Sequence, residues 1–137
     1  MKGETKGDKP TKVEVIANSL QKTKYLLIKS AINDKEVYEC YKYFFSNYYE
    51  LDYEFSAQEL LLELDKVYVE ENVRKYYDYI INKVASIEFK DNSLNDEELF
   101  EVLKVLKTVM VYLKKIKPEK KEGLLSKIFG VFRKKNN

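Results

Sequence analysis

The side chains able to do chemistry in this chain are carboxylates, lysines, tyrosines and a single thiol; there is no histidine. That absence removes the commonest general base and the commonest metal ligand. The carboxylates stand beside lysines on faces that read as solvent-facing. Glu97, Glu98 and Glu101 read as the acidic first turns of a helix, which complement its dipole, and not as a metal site. No Asp or Glu is set alone among apolar residues, so no general acid/base pair is expected. Neither GxGxxG nor GxxxxGK[ST] occurs. Cys40, the sole cysteine, allows no internal disulfide and no cysteine-based zinc site, and a reducing compartment is the simple reading. Its position on or near an apolar face favours a buried small hydrophobe over a reactive thiol. No catalytic residue, metal site, cofactor or small-molecule substrate is expected.

Two chemistries of contact remain. The first is aromatic: 12 of 137 residues are tyrosine. Interleavings such as Tyr41-Lys42-Tyr43 and Lys75-Tyr76-Tyr77 could stack on nucleic-acid bases, but helical spacing assigns most of these rings to core packing with hydroxyls at the rim. Tyr43, Tyr49 and Tyr79 fall off the apolar stripes and are expected to be exposed, as a protein-contact patch would need. The second lies near the end of the sequence, GLLSKIFGVFRKK. Leu124, Leu125, Ile128, Phe129 and Phe132 form an apolar face beside Lys127, Arg133, Lys134 and Lys135. Such a segment suits a membrane interface carrying anionic lipid; a final helix docked on the domain, or a plain basic tail, would share its pattern.

The elements that must position these groups read as helices throughout. Four Gly and two Pro, the latter at 10 and 118 outside the main apolar pattern, disfavour a turn-rich β fold. The length fits one domain. Residues 1–11 are expected to be a disordered leader without signal-peptide character, although Thr11 is suited to cap a helix beginning at Lys12. Val13, Ile16, Ala17, Leu20, Leu27 and Ala31, widened by Tyr25, Ile28 and Ile32, predict a helix over 12–32. After Asn33-Asp34, a second helix is predicted over 35–49 with Val37, Tyr38, Tyr41, Phe44, Phe45 and Tyr48 on one face, paired with the first as a hairpin. Ser56-Ala57-Gln58-Glu59 is a capping box, flanked by Phe55 and Leu60 at the hydrophobic-staple positions. Val67–Val69 reads as a short join of ambiguous type. A fourth helix is predicted over 70–87 on the stripe Val73, Tyr76, Tyr77, Ile80, Val84 and Ile87, with Phe89 pinning the loop behind it. A fifth opens at Asn95 and buries Leu99, Val102, Leu103, Leu106, Val109, Met110, Leu113 and Ile116 before Pro118 stops it. The fold class is thus all-α: about five helices over 12–117, then a basic amphipathic segment over 118–137. No apolar run of 18 residues occurs, so no helix is expected to span a bilayer.

The segment from Ala31 to Leu113 resembles the C-terminal cytosolic helical segment of the aerotolerance BatD family. The likeness rests on an aromatic helix with an early tyrosine (Tyr38), a Ser-x-x-Glu-Leu helix start (Ser56 to Leu60) and a long helix closing on an aromatic (Phe89) before a variable loop and a last helix. What it implies is a non-enzymatic scaffold. Such a protein works at the cytosolic face of a membrane with von Willebrand-type domain proteins and a MoxR-type AAA+ ATPase, and no catalytic residue carries over. A protein partner is therefore expected, with membrane contact through the basic segment and a cytoplasmic or inner-membrane-face location. The alternative is a small helical nucleic-acid-binding or regulatory protein using the Lys114–Lys135 charges, a less favoured reading because the overall charge is only +2.

Overall fold

In a computed structural model, residues 9–89 and 94–116 are described, and they form five α-helices with no strand among them. These are α1 (Lys12–Leu27), α2 (Asp34–Tyr48), α3 (Ala57–Asp65), α4 (Glu71–Phe89) and α5 (Asp96–Ile116). The all-α expectation holds. The readings placed on residues 1–8, on the Phe89 side chain, on loop residues 90–93 and on the segment 118–137 lie outside the described residues.

Local chemistry sets the helix starts. Thr11, Asn33 and Ser56 each accept the backbone N–H three residues on, and Glu14, Glu36 and Glu59 reciprocate onto the cap's own N–H. Asn95 and Glu98 exchange the same pair of bonds at 2.8 and 3.0 Å ahead of α5. Each box satisfies two amide groups that the first helical turn would otherwise leave without a partner. Thr11 is therefore part of the α1 start and not of a leader. Phe55 and Leu60, at the staple positions of α3, are both buried.

Three helix ends depart from expectation, and at one of them α4 runs two residues past 87, so that Phe89 closes the helix and does not open the loop. The first helix stops at Leu27, not at 32, because Ile28 and Lys29 donate back to Tyr25 and Leu26 three residues earlier, tightening the last turn. Residues 28–33 then carry the chain to the Asn33 box, and Ile28 is left 83 % exposed. The second helix ends on Tyr48, and the Leu51 N–H returns to the Ser46 carbonyl at 2.8 Å across Glu50, whose φ is 55°. That closure is of the Schellman type, made here with a glutamate at the left-handed position where glycine is usual.

Helices α1, α2, α4 and α5 form the body. Each packs on the next in the cycle α1–α2–α4–α5–α1, with α2 also meeting α5 across the middle, while among the described helices α3 packs on α4 alone. The α1 and α2 pair is antiparallel: Lys12 lies over Tyr48, Asn18 bonds Tyr43, Thr23 meets Cys40 and Lys29 pairs with Glu36. The same descending register, Tyr38 to Glu88 and Tyr49 to Tyr77, makes α2 and α4 antiparallel. The core between them holds Val15 and Ile16, the α2 rings Tyr41, Phe44 and Phe45, then Tyr77, Ile80, Ile81 and Val84, and the α5 stripe from Leu99 to Leu113. Burial of side chains of this size contributes about 1.5–3 kcal/mol each to the gross driving force, most of it offset by chain entropy.

Candidate protein-contact surface

Many of the carboxylates are occupied with the backbone and with cations. Glu14, Glu36, Glu59 and Glu98 serve the capping boxes, and Glu70 accepts from the Val73 N–H at the start of α4. Arg74 bridges Asp65 and Asp78, both at 2.9 Å. The Lys29 ammonium, then the Asn33 backbone, hold the Glu36 carboxyl below the usual range. The Asn95 backbone, then Lys83, do the same for Glu98, and Lys42 does so for Glu54. A carboxyl kept ionised in this way is the opposite of one tuned to donate a proton near neutrality. Among the described residues no cluster of three or more Cys, Asp or Glu could hold a metal ion.

Cys40 is buried. Its sulfur lies 3.4 Å from the Thr23 hydroxyl, which itself donates to the Ser19 carbonyl at 2.7 Å. Burial pushes its thiol up in pKa, away from the thiolate that nucleophilic chemistry needs.

The aromatic residues divide differently from the sequence expectation. Tyr43, Tyr49 and Tyr79 are half-buried and packed against the core. Tyr43 takes a hydrogen bond from Asn18 at 2.9 Å and lies under the Lys22 ammonium, while Tyr79 lies under Lys83. Tyr49 places its hydroxyl 2.8 Å from that of the fully buried Tyr77 and its ring against Phe44, Phe45 and Tyr48. The reason is the number of neighbours. Helix α2 is flanked by α1 on one side and by α4 on the other, so positions off its central stripe are covered as well. Burial lifts the Tyr49 phenol to about 12 and drives that of Tyr77 well above its ordinary value. Tyr41, also fully buried, is raised by burial too, and its hydroxyl finds no hydrogen-bond partner among the described residues.

The exposed rings are others. Tyr25 and Tyr76, both assigned to core stripes by spacing, lie at stripe edges that no neighbouring helix covers, and Tyr25 is 61 % exposed. Tyr68, in the join between α3 and α4, is 87 % exposed. It belongs to an apolar groove of about 490 Å³. The groove runs between the end of α2, the 67–70 join and the last turn of α5. Val67, Tyr68, Val69, Tyr112, Leu113 and Ile116 supply its apolar walls, and Tyr48, Tyr49 and Tyr77 close its inner side. Lys12, Glu50 and Glu70 stand in its lining as charged groups.

Spacing alone missed this groove. The signal was present in two places: an apolar triplet, Val67-Tyr68-Val69, where joins are usually polar, and Tyr112, an aromatic off the α5 stripe. Of the residues expected to make protein contacts, only Tyr49 lines it. No described helix is long and apolar enough to cross a membrane. Comparison with protein-family models, with curated proteins and with solved structures gives no match to this chain.

Proposed function

We propose that this chain is a non-enzymatic protein-interaction module acting at the cytosolic face of a membrane. The observation that carries the reading is the groove between α2, the 67–70 join and α5, where exposed Val67, Tyr68 and Tyr112 form an aromatic-rich apolar wall with acids beside it. Aromatic residues in a partly enclosed pocket are the usual anchors of protein recognition. The membrane half rests on sequence: an apolar face from Leu124 to Phe132 beside Lys127, Arg133, Lys134 and Lys135. The likeness to the BatD cytosolic segment supplies the partner class, a MoxR-type AAA+ ATPase or a von Willebrand-type domain protein.

The test has two arms. Purified partners of those two classes are titrated with the full chain and with Tyr68→Glu. Loss of an anchor ring should weaken binding by on the order of 2 kcal/mol, about thirtyfold in Kd. No binding by either class, or equal binding by both forms of the chain, would sink the protein-contact reading. In the second arm, flotation with anionic vesicles compares the full chain with one ending at Pro118, and equal partitioning would sink the membrane half. Retention on DNA or RNA that weakens steeply with salt would favour the nucleic-acid alternative instead.

A further inference from the structure

We propose that the seam between α1 and α5 is a second docking surface, and that its occupant is an acidic amphipathic helix of a partner protein. The seam is where apolar residues of two packed helices stay uncovered. Leu27, the last residue of α1, lines a recess of about 560 Å³ together with Phe100, Lys104, Lys107, Thr108 and Val111 of α5. At about 100° per residue, Val13 and Ala17 fall within about 80° of Leu27 on α1, and both are exposed. Of the other described helices only α2 packs on both α1 and α5, and it does so through the core.

Helical spacing fixes the chemistry of the occupant. Phe100, Lys104, Lys107, Val111 and Lys115 recur at intervals of three and four, so they share one face of α5 over about 22 Å, the length of about four helical turns. Helix α5 carries its acids at the start, Asp96, Glu97, Glu98 and Glu101, and from Lys104 onward its only charged residues are lysines. An apolar strip bordered by ammonium groups matches a helix with apolar residues at i, i+3, i+4 and i+7 and carboxylates along its edges. Lys104 lies 3.8 Å from Glu101, an exposed pair of the weak kind that a better-placed carboxylate displaces. The recess decides against a lipid surface. Phe100 and Val111 are only 39 % and 37 % exposed, set down between two helices, whereas a bilayer takes up side chains that protrude. The linings of this recess and of the groove at Tyr68 share no described residue, so the seam does not depend on the reading above.

The full chain is titrated at low ionic strength against a labelled peptide of about 16 residues, made of Leu, Ala and Glu with the leucines on one helical face, and fluorescence anisotropy is read. The acidic peptide binds, and the same peptide with Lys in place of every Glu does not. Lys104→Glu/Lys107→Glu weakens binding about tenfold. Phe100→Asp, which removes an apolar anchor, weakens it about thirtyfold. Leu62→Glu, at an exposed apolar residue on α3 that lines neither recess, leaves it unchanged. Far-ultraviolet circular dichroism checks that each variant keeps its helices, and Lys104→Gln/Lys107→Gln replaces the charge reversal if that variant does not. Failure of the acidic peptide to bind overturns the proposal. So does equal binding of the two peptides, and so does an affinity that survives loss of the two lysines. Flotation with vesicles of phosphatidylcholine and phosphatidylserine, and sedimentation across protein concentration, test the other occupants. Vesicle binding or self-association that is lost with the two lysines while peptide binding remains assigns the seam to lipid or to a second copy, and overturns the proposal. None of these outcomes depends on whether the partner titration at Tyr68 succeeds.

Discussion

The hydroxyls of Tyr49 and Tyr77 meet at 2.8 Å across the contact between α2 and α4. Tyr77 is fully buried, so this bond is what keeps its hydroxyl from being an orphan in the core. Tyr49 is half-buried at the groove's inner side, and the pair therefore ties the candidate contact surface to the packing beneath it.

Removing one partner should cost more than removing both. Tyr49→Phe leaves the Tyr77 hydroxyl buried and unsatisfied, a loss of about 1–3 kcal/mol. Tyr77→Phe leaves the less buried Tyr49 hydroxyl and should cost less. The double variant should lie well below the sum of the two, and a urea-unfolding cycle over the four proteins measures the coupling.

Alkali should unfold the protein through the same residues. The Tyr49 phenol stands at about 12 in the folded protein against 10.0 when exposed, and Tyr41 and Tyr77 are raised as well. Above pH 10 the unfolded chain loses protons that the folded one keeps. Stability that is complete below pH 10 then falls by about 1.4 kcal/mol per pH unit for each such group as pH climbs through the folded value. Absorbance titration at the phenolate band should resolve exposed tyrosines titrating first, with the buried ones ionising together with loss of helix. A single reversible step for all tyrosines, with the helices intact, would contradict the burial of these three rings.

Tyr41→Phe is expected to be neutral or stabilising by about 1 kcal/mol. Its hydroxyl has no partner among the described residues and no exposed surface, so deletion removes a desolvated group while keeping the ring that packs on Tyr38 and Phe45. A clear loss of stability in urea would mean that the hydroxyl does more than the geometry gives it.

Ser56→Ala should destabilise the protein by about 0.5–2 kcal/mol, since the capping box at α3 loses the acceptor for the Glu59 N–H. Because among the described helices α3 packs on α4 alone, the change should appear in amide exchange as early opening of α3 with little change in α1 or α5. Uniform loss of protection across all helices would show that α3 is not a separable unit.

Most of the fold was legible because caps and long apolar stripes are local signals. The boxes at Thr11, Asn33, Ser56 and Asn95, and every buried residue of α5 from Leu99 to Leu113, follow from residue type and spacing. The faces of α1 and α4 were less legible: Val13, Ala17 and Tyr25, read as core, are exposed while Val15, Ser19 and Thr23 are buried, because which flank of a helix its neighbours cover is tertiary information. At about 100° per residue, Ile81 and Tyr76 lie on opposite margins of the α4 stripe, yet only Ile81 is fully buried. Tyrosine compounds the difficulty, since its ring accepts burial and its hydroxyl accepts solvent. The contact surface was the least legible part. Its walls come from the end of α2, the 67–70 join and the last turn of α5, which are distant in sequence and are brought together only by the packing of α2, α4 and α5.

Glu50, the left-handed residue that closes α2, stands in the lining of that same groove. A side chain bearing Cβ at such a φ costs roughly 1–2 kcal/mol that glycine would not incur. Glu50→Gly would therefore toughen the folded chain while stripping one of the two carboxylates from the groove. Robustness and recognition are set against each other at one backbone position, where a single exchange moves them in opposite directions.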